Sequence, residues 1–407
     1  MKRVVITGMG IWSCIGQDLN TVTESLRKGR SGIIFDPERV EQGLQSGLVG
    51  NVPMPNLKPF LERKYRVTMS DDAQYAYMAS RQALEHAGLS QQYLDQNEVG
   101  VIFGTDGNTE GVAAVDLIRQ EKDTWVLAPG TFFKVATSTV SMNLATCFHF
   151  RGINICVSAA CASSSHAIGI AATLIRSGMQ STILVGGASE IGLYGVAPFD
   201  ALNTLSLRND APQQACRPFD TARDGAVISG GAAALVLEEY EHAINRGANI
   251  IAEVVGYGFS GNAKGEIFEP EVDAVCRAIR NALADARMSI DNIDYINSCA
   301  SSSITDDVAE AIALSKVCEG RAIPISSTES MTGHEGWMGG ASEAIYSILM
   351  MQNGFIAPNI NLENVIEEAK ELNIVHSTIE KPVKTVLSTS SGLGGTNSVL
   401  IFKKYES

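Results

Sequence analysis

The segment Cys156-Val157-Ser158-Ala159-Ala160-Cys161-Ala162-Ser163-Ser164-Ser165-His166 holds the strongest candidate for covalent chemistry. An apolar strand ends, small residues make a tight turn, and Cys161 stands where a helix begins. Unpaired N–H groups at a helix N-terminus favour negative charge, so a thiol there is expected to ionise more readily. The same donors can bind the oxyanion of a thioester under attack. The competing explanation is a small interior Cys, because Cys is among the most buried residue types. A second candidate is His334, set between Gly333 and Glu335 in a Gly-rich stretch just before a helix. A loop His can also serve there as a structural cap.

The elements that must position these residues alternate between strands and helices. The pattern predicts strands at 4–7, 99–103, 153–157, 183–185 and 232–237. A helix over 71–87 is expected to be capped by Ser70 and stopped by Gly88, and a second over 161–176 is too apolar to be exposed. The second half repeats the order. Strands are predicted at 251–255, 295–297, 323–326, 385–387 and 398–402, and helices at 271–286, 308–318 and 342–351. This suggests an internal duplication with halves 1–250 and 251–407. Residues 104–150 read as an excursion from the first half.

Composition narrows the function classes. The 407 residues carry 31 Lys plus Arg against 45 Asp plus Glu, a formal charge of −14. No global cationic field exists to attract nucleic acid. No stretch approaches the roughly 20 apolar residues of a membrane span, and the start shows no secretory signal. The eight Cys have no metal-ligand spacing, so no metal is expected. They read as reduced thiols of a cytoplasmic protein. Gly8-Met9-Gly10-Ile11-Trp12-Ser13 lacks the third Gly of a dinucleotide fingerprint, and no Lys-Ser or Lys-Thr follows Gly392–Gly395.

Ser158-Ala159-Ala160-Cys161-Ala162-Ser163-Ser164-Ser165-His166-Ala167 resembles the active-site segment of the elongating β-ketoacyl-acyl-carrier-protein synthases of the thiolase-like superfamily. Four more segments match in order. Val5-Ile6-Thr7-Gly8-Met9-Gly10 is similar to their first strand. Arg217-Pro218-Phe219-Asp220 with Arg223-Asp224-Gly225 resembles their mid-chain signature. Ser327-Thr328-Glu329-Ser330-Met331-Thr332-Gly333-His334 is similar to the loop of their second catalytic His, and Gly392-Leu393-Gly394-Gly395-Thr396-Asn397 to their C-terminal glycine loop. The resemblance implies an α/β thiolase-like fold: two pseudo-symmetric βαβαββ halves in a layered α/β/α/β/α body. It also implies acyl transfer to Cys161, then decarboxylative Claisen condensation with malonyl-carrier protein, in fatty-acid, polyene or polyketide-type synthesis.

By the same resemblance His334 stabilises the enolate formed as carbon dioxide leaves, and the N–H groups of Cys161 and Leu393 form the oxyanion hole. Leu393 stands where the family has a Phe that gates the acyl pocket, and Ser391 replaces another Phe. Seen alone, residues 392–395 are also compatible with a plain Gly-rich turn. The family's first catalytic His lies in Asn-x-His-Gly-Thr-x-Thr, against Asn297-Ser298-Cys299-Ala300-Ser301-Ser302-Ser303 here. Cys299 takes the His position and donates more weakly. Ser301 and Ser303 replace two Thr that contact phosphopantetheine and keep their hydroxyls. Glu310 matches a family acid. Glu329 replaces a family Lys and is expected to disfavour an anionic malonyl group if its carboxylate reaches the pocket. His166 reads as structural, and His86, His149, His242 and His376 as surface or packing residues.

No cofactor is implied beyond the phosphopantetheine carried by the acyl carrier protein. That acidic partner needs a basic patch, for which Arg63, Lys64 and Arg66 are the candidates, with Arg119, Lys122 and Lys134 as further ones. A solvated charge run is the ordinary meaning of such a cluster. The family further implies a homodimer, or a heterodimer with a second ketosynthase-like subunit. The alternative function is a chain-length-factor-like partner subunit with little condensing activity. Such factors usually lack the nucleophile that this chain keeps.

Overall fold

Five strands of the first half, Val4–Trp12 (β1), Gly100–Gly104 (β2), Asn154–Val157 (β3), Thr182–Ser189 (β4) and Gly231–Glu239 (β5), pair in the order β1-β5-β4-β2-β3. Ala252–Gly261 (β6), Tyr295–Asn297 (β7), Pro324–Ser326 (β8), Thr385–Gly392 (β9) and Thr396–Lys404 (β10) pair as β6-β10-β9-β7-β8. The strand directions repeat as well. The first two contacts of each half are antiparallel and the last two parallel. Order and direction together establish the duplication that the sequence only suggested. The computed structural model describes residues 1–107, 109–265, 267 and 270–406.

The two sheets join where β1 meets β6 through Val5 opposite Glu253 and Ile6 opposite Ala252. Helices fill the remaining layers. Asp71–His86 (α1) and Thr139–Phe148 (α2) cover the outer face of the first half. Ser163–Arg176 (α3) lies between the halves, Val272–Ala286 (α4) and Asp306–Cys318 (α5) cover the second half, and Gly339–Asn353 (α6) packs beside α3. The body is therefore layered α/β/α/β/α, as expected. Each half carries one βα unit more than the βαβαββ pattern, running βαβαβαββ. In the first half the extra crossover is the excursion ending in α2.

Local sequence explains the packing. The small side chains of α3 (Ser163, Ser164, Ser165, Ala167, Gly169, Ala171 and Ala172) are buried and allow its central position. α6 is buried from Gly339 through Met351, a longer helix than the periodicity marked. Gly8 and Gly10 let α1 lie against β1, since a Cβ on either would sit 2.1 Å from the carbonyl oxygen of Ala83 or Ala79. Ser70 occupies the N-cap position of α1 without capping it. Its hydroxyl bonds Asp72 and faces Thr139 at 3.3 Å instead. Gly88, at φ +68°, does end the turn. All eight Cys are free thiols. Among the described residues no helix is long and apolar enough to cross a membrane, and no His, Cys, Asp and Glu cluster could hold a metal.

Candidate active site

The parallel strands of both halves end at one place, where a crevice forms outside their carboxyl ends. Cys161 follows β3 and precedes α3. Ala160 before it adopts φ +47°, an unfavourable value for a residue with a Cβ. The turn is over-determined. The Ala159 N–H donates to Ser163 Oγ at 2.8 Å, Ser163 Oγ donates to the Ala160 carbonyl at 2.6 Å, and the Ala160 N–H donates to Asp106 at 2.9 Å. The β9–β10 loop closes over it. A Cβ on Gly392 would lie 3.1 Å from the Cys161 nitrogen, so only glycine brings the Leu393 backbone this close.

His334 sits in the corresponding loop of the second half, after β8. Its N–H donates to the Val227 carbonyl at 2.7 Å and its carbonyl accepts from Ser229 N–H at 2.8 Å. The ring spans two partners. Nε2 lies 2.9 Å from Cys161 Sγ, and Nδ1 lies 3.1 and 3.0 Å from the two oxygens of Glu329. Burial opposes charge on the ring, but the Glu329 carboxylate and the Cys161 sulfur outweigh it. His334 is held well above the usual imidazole range. Glu329 is only 3% exposed and does not line the main cavity. The expectation that it would oppose malonate from the pocket wall is corrected: the carboxylate is turned onto the imidazole.

Cys299 follows β7 and faces the same cavity. Its N–H is shared between Glu310 at 3.3 Å and Thr389 Oγ1 at 3.2 Å, and its Sγ lies 3.7 Å from Glu310. Burial, then Glu310 and other buried acids, push this thiol well above its usual range, so it is neutral. Glu310 is itself raised by burial and takes a 2.6 Å bond from Thr389. Ser301 and Ser303 line the cavity nearby. The Ser301 N–H donates to Asp307 at 3.1 Å, and Ser303 Oγ accepts from the Asp306 N–H at 3.2 Å, opening α5.

The cavity has a volume of about 220 Å³ and brings Cys161, His334, Cys299, Ser301, Ser303, Glu310 and Leu393 together. Phe199, Leu202, Leu205, Ile228 and Ile267 supply an apolar wall that suits an acyl chain. Leu393 is 44% exposed. Trp337 lines a smaller recess beside Cys161 and His334, which sequence reasoning did not mark. Arg63, Lys64 and Arg66 lie apart from this cavity on the short helix Arg63–Arg66. Arg63 and Lys64 are exposed, Lys64 lies 3.4 Å from Glu62, and Arg66 is half-buried and bonded to the Leu61 carbonyl. Of the further basic candidates, Arg119 pairs with Asp116 and Lys134 with Glu110.

The mid-chain signature proves to be a brace. Arg223 donates to the carbonyls of Ser303 and Ile304 at 2.9 and 2.6 Å, and Asp307 accepts from Phe219 N–H at 2.9 Å. Asp220 binds Arg217 and the N–H groups of Ala222, Glu363 and Asn364. Arg223 and Asp307, 3.7 Å apart, thus hold the loop after Cys299 through Ser301, Ser303 and Ile304. His166 stands apart from the chemistry. Both its nitrogens are engaged, by Tyr257 at 2.7 Å and Thr396 at 2.9 Å.

A duplicated α/β/α/β/α body with a Cys at the start of a central helix and a His from the second half defines the thiolase-like class. Family models for the β-ketoacyl synthase N-terminal domain and C-terminal domain match residues 1–243 and 251–363. The chain belongs to the β-ketoacyl synthase family. It is 41% identical over 410 residues to a Haemophilus influenzae protein named 3-oxoacyl-[acyl-carrier-protein] synthase 1, covering 100% of both chains. It superposes on a crystal structure of a β-ketoacyl synthase from Burkholderia phymatum with TM-score 0.95 and 34% identity, covering all of both. A type II polyketide ketosynthase in complex with its acyl carrier protein gives TM-score 0.88 at 29% identity, again over all of both chains.

Proposed function

We propose that this chain is a condensing acyltransferase, a β-ketoacyl-acyl-carrier-protein synthase that works with one catalytic His. The carrying observation is Cys161 Sγ at 2.9 Å from His334 Nε2 on the wall of an apolar cavity. Cys161 attacks the thioester of an acyl group on a carrier protein, and His334 takes the thiol proton and returns it to the departing phosphopantetheine thiol. The N–H groups of Cys161 and Leu393 hold the oxyanion. Malonyl-carrier protein then loses carbon dioxide, and its carbanion attacks the acyl-enzyme. β-Ketoacyl-carrier protein leaves and free Cys161 returns. Ser301 and Ser303 offer hydroxyls along the phosphopantetheine path, and Glu310 fixes the Cys299 loop.

The partner is an acidic acyl carrier protein, and the relative solved with such a protein supports this reading. Arg63 and Lys64 form the docking patch, with Arg66 bracing it. A second ketosynthase-like subunit is the other partner. It would cover the edge strand β3, whose Ile155 is 38% exposed at the end of the sheet, since open edges are otherwise aggregation-prone. The reaction belongs in the cytoplasm, where the eight thiols stay reduced. The retained Cys161–His334 pair speaks against a partner subunit without chemistry of its own. The test is product analysis after mixing the chain with acyl- and malonyl-carrier protein. β-Ketoacyl-carrier protein is expected. No product alone, with acceleration of a second synthase, would replace this reading by the partner-subunit one.

A further inference from the structure

We propose that Cys161, His334 and Glu329 form a hydrolase-type relay, and that the chain hydrolyses acyl-thioesters through the Cys161 acyl-enzyme as a second activity. Glu329 is the positioning residue of that relay. The inference goes beyond condensation and rests on the acylation of Cys161 proposed above.

The two ring nitrogens of His334 fix its tautomer. A carboxylate can only accept, so a ring nitrogen 3.0 and 3.1 Å from the two Glu329 oxygens must carry the proton. In neutral His334 the proton is then on Nδ1, and Nε2 presents a lone pair toward Cys161. This is the arrangement of a general base oriented by a carboxylate. It is the reverse of what enolate stabilisation asks of a neutral imidazole, which is an Nε2–H donor. A Lys in place of Glu329 could not impose this tautomer, because an ammonium group only donates.

The proton balance favours water as an acceptor. In acylation, Cys161 gives its proton to Nε2, and Nε2 passes it to the departing pantetheine sulfur. The ring is left neutral with Nε2 free, beside the new thioester. Water then gives a proton to Nε2 while its oxygen forms the C–O bond. The tetrahedral adduct collapses, the C–S bond breaks, and the Nε2 proton returns to Cys161. The products are a free carboxylic acid and free enzyme, with no redox change. Two features of the cavity help. Leu393, 44% exposed, guards it where the family has a Phe, and Cys299 supplies no strong donor to activate malonate.

The groups facing His334 leave Glu329 as its charge partner. Glu335, after it in the chain, is pushed up to about 8 by burial, and Glu343 on α6 is raised by burial well above the carboxylate range. Cys299 and Glu310 on the opposite loop and α5 are raised as well. Burial disfavours charge on each of these groups, and among the described residues Glu329 alone hydrogen-bonds Nδ1.

The experiment loads the full-length chain with hexanoyl-carrier protein, without malonyl-carrier protein, in ¹⁸O-labelled water. Decay of the acyl-Cys161 mass and labelled hexanoic acid are followed from pH 5.5 to 9. The parent should release labelled acid with a rate that rises with pH through the His334 titration. Glu329→Gln should lower the plateau at least tenfold and move the midpoint to lower pH, because the charge that raises His334 is gone. A merely structural role would lower the plateau without moving the midpoint. Glu329→Lys, the family residue, should leave the acyl-enzyme standing. A parent acyl-enzyme stable for hours, or an unmoved midpoint in Glu329→Gln, overturns the proposal and leaves condensation untouched. Failure of the parent to acylate overturns both readings.

Discussion

Replacing Cys299 by His should restore the donor that this site lacks. The parent thiol is neutral, lies 3.7 Å from Glu310 and has little to give an enolate oxygen. An imidazole adds a volume of one to two waters, ~30–60 Å³, against a cavity of about 220 Å³. Glu310, raised by burial, stands 3.7 Å from the present sulfur and can engage Nδ1 of the new ring. A ring held there by one nitrogen turns the other into the cavity. One preorganised donor is worth ~10²–10³ in rate, or ~3–4 kcal/mol, when its geometry is ideal. The Cys299 loop was not shaped for a ring, so the expected gain falls at or below the lower end, about 30- to 100-fold. The assay is carbon dioxide release from malonyl-carrier protein by enzyme already acylated at Cys161. Cys299→Ala is the companion variant and should change the rate less than about threefold, because a weak donor is lost. Two results would refute the reasoning. One is a parent rate equal to that of an ordinary elongating synthase. The other is no gain in a Cys299→His protein that still acylates normally.

Two further outcomes follow from the surface and the core. Arg63→Glu with Lys64→Glu should weaken carrier-protein binding at low salt, with a parent affinity that falls as salt rises; unchanged low-salt affinity in a titration would remove the patch from the account. Glu335 is raised by burial from 4.5 to about 8, and accepts a bond from Tyr346 at 2.9 Å. Its folded form keeps a proton that the unfolded chain loses, so its contribution is full below about pH 4.5 and is lost as pH rises toward 8. Glu335→Gln should therefore gain stability relative to the parent between pH 5 and 8, by an amount on the order of a few kcal/mol at pH 8. Parallel urea-unfolding midpoints across that range would contradict it.

Much of this arrangement was legible because it is local. The β3–turn–α3 passage carries its own signals: an apolar run, three small residues, a Cys, then a helix too apolar to be exposed. The strand expected at 295–297 matches to the residue, those at 99–103, 153–157 and 323–326 lie within one residue of the observed ends, and the others fall short, since sheet pairing extends strands beyond their apolar cores. What escaped were contacts that no periodicity or motif marks. In the sequence Glu329 stands only as a missing Lys, and the five-residue spacing to His334 gives no sign that the Thr332-Gly333 turn folds one onto the other. The Arg223 and Asp307 brace joins residues about eighty apart, beyond any local pattern. Ser70 had the right residue type for a cap, but Asp72 and Thr139 compete for its hydroxyl.

The central claim is that Cys161 carries the acyl group. Its most direct test is the intact mass of the chain after brief incubation with acyl-carrier protein, followed by peptide mapping. The account predicts one acyl adduct per chain, on the peptide containing Cys161, and none in Cys161→Ala. A covalent acyl adduct that persists in Cys161→Ala, or one that maps to Cys299, would contradict it.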